Sequence, residues 1–242
     1  MHQTKSVGLF GKLPAHGDFI YRDLPSNFIN AWDSWLQGFV GASQEQIGES
    51  WLDVYLTSPI WRFAFSEGVV DQYAWAGIML PSVDRVGRYF PFSIVTRLPA
   101  SANPLEIITQ TQWFESQERA ALKALEGQLQ IDDLVEEINR HRLDTTNAYK
   151  PAGPVQNKLG TRIQMVSEEQ LPQSIYSWLL DSSLRESLTS YSVWSTLGSQ
   201  RVEPCLFNCR GLPQMRGIAA MMDGQWDFRG WHEPHRLKPV QQ

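Results

Sequence analysis

The chain has 242 residues, 42% of them hydrophobic and 19% charged, a length at which a domain buries roughly 70–75% of its unfolded surface and folds without disulfides, metals or an obligate partner. A formal net charge of -5 gives no global attraction for a phosphate backbone, and no basic run makes a local exception, so nucleic acid is excluded as an expected partner. Two cysteines, Cys205 and Cys209, suit a reducing, cytoplasmic compartment; Gly8, Gly11, Lys12, Pro14 and Gly17 break any signal-peptide core, and the longest apolar stretch, Ala74 to Leu80, falls far short of the about 20 residues that cross a bilayer.

Val7 to Leu13 reads as a first strand that ends at Pro14. After Leu24-Pro25, Ser26 is placed to cap a helix in which Phe28, Ile29, Trp32, Trp35, Leu36, Phe39 and Val40 recur at helical spacing. A second helical pattern, Ile47, Trp51, Leu52, Tyr55 and Leu56, stops near Pro59. Strands are expected at Trp61–Phe65, Tyr73–Leu80 and Pro91–Arg97; the middle one is nearly all apolar, as in a strand covered on both faces. A long helix from Pro104 to Leu125 and another from Ile131 to Leu143 follow, the latter with Asp132, Asp133, Glu136 and Glu137 as its solvated side. Asp144 to Thr161 lacks periodicity and reads as a loop or hinge. Beyond it lie an expected strand at Arg162–Val166, a helix at Ser174–Leu184, a strand at Tyr191–Thr196 and a short helix after Pro213.

Helices alternating with short strands predict a single α/β domain over 1–242, a three-layer α/β/α sandwich around a mixed central sheet. Ten tryptophans, seven tyrosines and eleven phenylalanines concentrate before residue 115, so the main core is expected in that half. Trp32, Trp35, Trp51, Trp61 and Phe63 occupy helix-face or strand positions and are expected inside it.

The most informative charges are Asp84, Arg85 and Arg88, bracketed by Pro81 and Pro91. A guanidinium stays ionised, so any of these arginines that is buried must be paired. One reading is an internal network in which Asp84 receives Arg85, Arg88 or Arg62 at a bend that Gly87 permits. The other is a surface groove whose arginines receive carboxylates or phosphates of a partner. Lys12 and Asp18 lie beside this set as weaker candidates, with Asp18 capping a turn or accepting from Lys12.

Other chemistries find little footing. Gly11-Lys12 follows a strand, but Ser6 and Leu13 stand where a phosphate-binding loop needs glycine and a hydroxyl residue. Cys205, Cys209, His232 and His235 are spaced unlike a structural zinc site. No G-x-S-x-G elbow is present, and nothing ties His2, His16, His141, His232 or His235 to a nucleophile. No catalytic residue, metal or cofactor is expected.

Several segments resemble one family. They are Gly8-Leu9-Phe10-Gly11-Lys12-Leu13-Pro14, Gly17-Asp18-Phe19, Leu24-Pro25, Trp32, Trp35-Leu36, Trp51, Tyr55, Pro59-Ile60-Trp61-Arg62-Phe63 and, most specifically, the run Pro81-Ser82-Val83-Asp84-Arg85-Val86-Gly87-Arg88-Tyr89-Phe90-Pro91. On these the chain resembles the TagF (ImpM-like) family of type VI secretion proteins, densely from residue 8 to about 98. Later echoes are Ser192, Trp194, Gly198 and Gly211-Leu212-Pro213. The resemblance implies an α/β sandwich, a bacterial cytoplasmic setting and a posttranslational repressor that acts through a forkhead-associated-domain partner of the apparatus. A non-enzymatic interaction protein is then expected, binding through Arg62, Asp84, Arg85 and Arg88, with Lys12 and Asp18 beside them. The rival readings are a small-molecule hydrolase or phosphatase built on Ser82 and Asp84, and a purely structural subunit.

Overall fold

Alternation of apolar side chains along short runs and their 3.6-residue recurrence along longer ones produce the elements of the computed structural model, which describes residues 7–145, 149, 163–164 and 172–237. In chain order they are β1 (Val7–Gly11), β2 (Ile20–Arg22), α1 (Ser26–Ile47), α2 (Trp51–Leu56), β3 (Trp61–Phe65), β4 (Ala74–Leu80), β5 (Phe92–Leu98), α3 (Pro104–Ile107), α4 (Thr111–Leu125), α5 (Ile131–Ile138), α6 (Ser174–Leu188), β6 (Tyr191–Thr196), β7 (Cys205–Arg210) and α7 (Ala220–Asp223). The hinge expected at Asp144–Thr161 and the strand expected at Arg162–Val166 fall almost wholly outside the described residues.

The strands form one sheet in the order β2-β1-β5-β4-β3-β6-β7. Every pairing is antiparallel, so the expected mixed sheet is not what forms. The reason lies in the connections: β3 to β4, β4 to β5 and β6 to β7 return directly through loops, whereas a parallel neighbour needs a crossover, usually a helix.

Period two divides the core. Ala74, Ala76, Ile78 and Leu80 of β4 join Val7, Leu9, Ile94 and the helices α3 to α5 in one apolar cluster. Trp75 and Met79, with Phe63, Phe65 and Trp194, join Phe28, Trp32, Trp35, Leu36 and Phe39 of α1 in the other. The five aromatic residues expected inside are all at most 7% exposed. Their indole N–H groups have partners: Trp32 Nε1 donates to Ser93 Oγ at 3.1 Å, Trp61 Nε1 to the Met221 carbonyl at 2.9 Å and Trp35 Nε1 to the Pro213 carbonyl at 3.0 Å.

Three expectations need correction. Ser26 is the first helical residue, Pro25 occupies the cap position, and no side chain caps α1. The long helix expected over Pro104–Leu125 is two, because the Thr109 hydroxyl turns back to the Glu106 carbonyl (2.8 Å) and the Gln110 amide is held by the Asp144 backbone (2.6 and 2.7 Å). The helix after Ile131 ends at Ile138 and not Leu143. The edge strands β2 and β7 carried no clear alternation in the sequence and were missed.

Candidate functional site

The chain between β4 and β5 is itself a small hairpin. Val83 and Tyr89 bridge in antiparallel fashion. The Asp84 N–H donates to the Arg88 carbonyl and the Gly87 N–H to the Asp84 carbonyl, each at 3.0 Å. Gly87 sits at φ +87°, in the left-handed region that ends a three-residue hairpin loop and that a side chain would strain.

Asp84 is the hub. Its carboxylate is sealed from solvent and accepts four bonds: Lys12 Nζ (2.9 Å) and Arg88 Nε (2.6 Å) on Oδ2, the Val86 N–H (3.0 Å) and the Arg88 N–H (2.9 Å) on Oδ1. Burial opposes its ionisation, but these donors together outweigh burial and hold the carboxyl well below the usual carboxylate range. Its contribution to stability is therefore complete above the unfolded value of about 3.9 and is lost as pH falls through the lower, folded one. Asp84→Asn is expected to unfold in less urea than the parent at pH 7, with a gap that narrows steadily from about pH 5 to about pH 2.5. A gap that does not change with pH would count against the network.

Neighbouring motifs hold the hairpin from below. The buried Ser82 hydroxyl donates to the Lys12 carbonyl at 2.6 Å. Tyr55 of α2 clamps the Ser82 peptide, its hydroxyl donating to the Ser82 carbonyl (2.9 Å) and accepting from the Ser82 N–H (3.0 Å). Burial, opposed by that N–H, pushes the Tyr55 hydroxyl above its usual range. Gly11 (φ +128°) runs so close to the next strand that a Cβ would meet the Pro91 carbonyl oxygen at 2.1 Å, so the first glycine motif and the end of the arginine motif must be read as one packed unit. The turn after β1 completes it: the Arg85 N–H donates to the His16 carbonyl at 2.9 Å, and Arg88 Nη2 donates to the Gly17 carbonyl.

The six candidate residues therefore separate. Lys12, Asp84 and Arg88 meet in one ion-paired group. Arg85, expected as a donor to Asp84, instead stands exposed at the tip, because it is adjacent to Asp84 in the turn and points away. Arg62 takes no part: the alternation that buries Trp61, Phe63 and Phe65 in the aromatic cluster turns Arg62 to the opposite face. There it makes a bidentate pair with Glu118 of α4 (Nε–Oε1 2.6 Å, Nη2–Oε2 2.9 Å) beside the Phe114 ring. Asp18 is exposed and does not receive Lys12.

Sequence reasoning missed Tyr55 as a clamp, Glu118 as the partner of Arg62, and the His16 and Gly17 carbonyls. Only the helical phase of Tyr55 with Trp51 hinted at any of them, and backbone acceptors leave no residue-type signal.

Cys205 and Cys209 are both half-buried on β7. Burial, helped by Glu203, pushes the Cys205 thiol up to about 11, so it stays a thiol at neutral pH.

The hairpin and its supports lie within one family segment: the model of the TagF N-terminal domain, described as type VI secretion system-associated, matches residues 8–141. The chain belongs to the TagF family. It is also similar to the crystal structure of PA0076 from Pseudomonas aeruginosa PAO1, with 33% sequence identity over 98% of this chain and 100% of that one and a TM-score of 0.73. No curated protein matches. Every residue of the Asp84 network lies inside the TagF segment, while α6, β6 and β7 lie beyond it and still complete the sheet through β3. The protein is type VI secretion-associated, and among its described residues no helix is long and apolar enough to cross a membrane.

Proposed function

We propose that this protein is an accessory regulator of type VI secretion that acts in the cytoplasm after translation, repressing the apparatus by occupying a forkhead-associated-domain scaffold component. No bond is made or broken in this mechanism. We also read the helices against the two faces of the sheet as the outer layers of an α/β/α sandwich, a body rigid enough to display one loop.

The observation that carries this reading is the division of labour in the hairpin. Lys12 and Arg88 are both held by the Asp84 carboxylate, so the loop keeps its shape without a partner, and Arg85 and Val86 are left facing outward at its tip. A preformed loop loses little conformational freedom on binding, which is what recognition by shape requires. Ser82 is badly placed as a nucleophile: it is 2% exposed and its hydroxyl is engaged with a backbone carbonyl.

The test is direct. Purified protein is expected to retain the forkhead-associated-domain component of its own secretion system, and raising its level in cells is expected to lower effector secretion with transcripts of the apparatus unchanged. Failure to retain that component at micromolar concentration would sink the proposed partner. Turnover of ester or phosphate substrates that disappears in Ser82→Ala would replace the whole reading with the hydrolase.

A further inference from the structure

Arg85 carries a guanidinium that the fold positions and does not pair. Its N–H is tied to the His16 carbonyl, and its guanidinium lies over Gly17, where a Cβ would come within 3.4 Å of Nη2. Among the described residues that guanidinium has no hydrogen bond or ion pair, and the residue is exposed. The turn beneath it, His16–Ile20, forms with Arg22 and Ile131 the wall of a cleft of about 200 Å³. Val86, the next residue, is 66% exposed, and Phe19 on the cleft wall is 43% exposed. Phe19 is braced from behind by Phe90, with ring centroids 4.8 Å apart, and by Lys12 Nζ, 5.0 Å from its ring. An unpaired arginine and a braced aromatic ring beside a concavity have the composition of an interaction hot spot.

We propose that this surface receives an acidic segment of a protein partner, one carboxylate taking the Arg85 guanidinium while an adjacent apolar side chain enters the cleft beside Phe19. The inference rests on the docking reading above and adds to it the chemistry of the bound segment. Charge decides between a carboxylate and a phosphorylated side chain. Arg22 on the cleft wall gives one N–H to its own Tyr21 carbonyl at 3.0 Å and Arg88 is committed to Asp84 and Gly17, while the exposed carboxylate of Asp18 stands on the same wall and repels a dianion more than a singly charged group. A phosphate dianion is held by arginines that converge on it; the Arg85 guanidinium with Asp18 close by suits a singly charged, bidentate carboxylate.

The experiment titrates the full chain with a synthetic peptide of alternating Glu and Leu, its Gln counterpart, and a version with phosphothreonine at one Glu position, following backbone amides by NMR. The Glu peptide is expected to shift residues 16–22 and 84–88 and to bind about tenfold or more tightly than the Gln peptide, with no gain from phosphothreonine. Arg85→Glu removes the cation, and Gly17→Leu displaces it without touching its charge; both are expected to weaken binding about tenfold with melting temperature unchanged. Equal binding of the Gln peptide, shifts elsewhere, tighter binding of the phosphopeptide, or variants that bind like the parent would each overturn the proposal. A forkhead-associated-domain protein retained equally by parent and both variants overturns this surface and leaves the repressor reading standing. Peptide results as expected, with no such protein retained, support this surface and remove the proposed partner.

Discussion

Replacing Glu118 with alanine is expected to lower stability by about 3–5 kcal/mol, among the largest single effects in the protein, because it leaves the Arg62 guanidinium charged and unpaired between β3 and α4. The Arg62 and Glu118 side chains are only 6% and 15% exposed, so water does little to screen the loss. Arginine does not relieve the penalty by losing its proton. The double variant Arg62→Met, Glu118→Leu removes both charges and fills similar volume, and is expected to recover to within about 1 kcal/mol of the parent. Equilibrium urea unfolding of Arg62→Met, of Glu118→Leu and of the double variant closes the cycle. Should Glu118→Ala unfold like the parent, the pair is energetically a surface contact. The same measurement bears on function: any loss of partner binding in Arg62 variants is expected to follow their loss of stability, since Arg62 is remote from the exposed tip.

Residues 7–145 expressed alone are expected to be insoluble or to lack cooperative unfolding, although they contain the whole TagF segment. Removing β6 strips the antiparallel ladder from Arg62 to Phe65 and turns β3 into an unguarded apolar edge. It also removes Trp194, whose ring lies 5.5 Å from Trp35, 5.2 Å from Phe63 and 5.6 Å from Phe65. In the full chain, Trp194→Ala is expected to cost about 3–5 kcal/mol by thermal or urea unfolding, the range for deleting a buried large aromatic side chain. A soluble, cooperatively folding N-terminal fragment would show that the C-terminal strands are an accessory to the sheet and not part of its core.

Both results turn on a difference between what repeats along a sequence and what meets in space. Trp61–Phe65 and Tyr191–Thr196 were legible to the residue as strands, and Ala74–Leu80 nearly so, because short apolar and aromatic runs bounded by turns admit little else. The helix face from Phe28 to Phe39 was equally plain from its spacing. β7 escaped because Cys-Leu-Phe-Asn-Cys-Arg has no clean alternation and becomes a strand only by pairing with β6. Sheet direction was misjudged for a related reason: α/β alternation in order says nothing about which strands lie side by side.

By itself, then, the sequence determined the family, most elements, the aromatic core and the proline-bounded arginine loop, all properties carried by residue type and local period. Only the tertiary structure decided how the charges divide. Asp84 and Lys12 are 72 residues apart, and Arg62 and Glu118 56; which cation reaches which carboxylate depends on the sheet face each side chain leaves from. Pairing by proximity in three dimensions sends Arg62 into the interior, locks Arg88 into the turn and leaves Arg85 facing solvent.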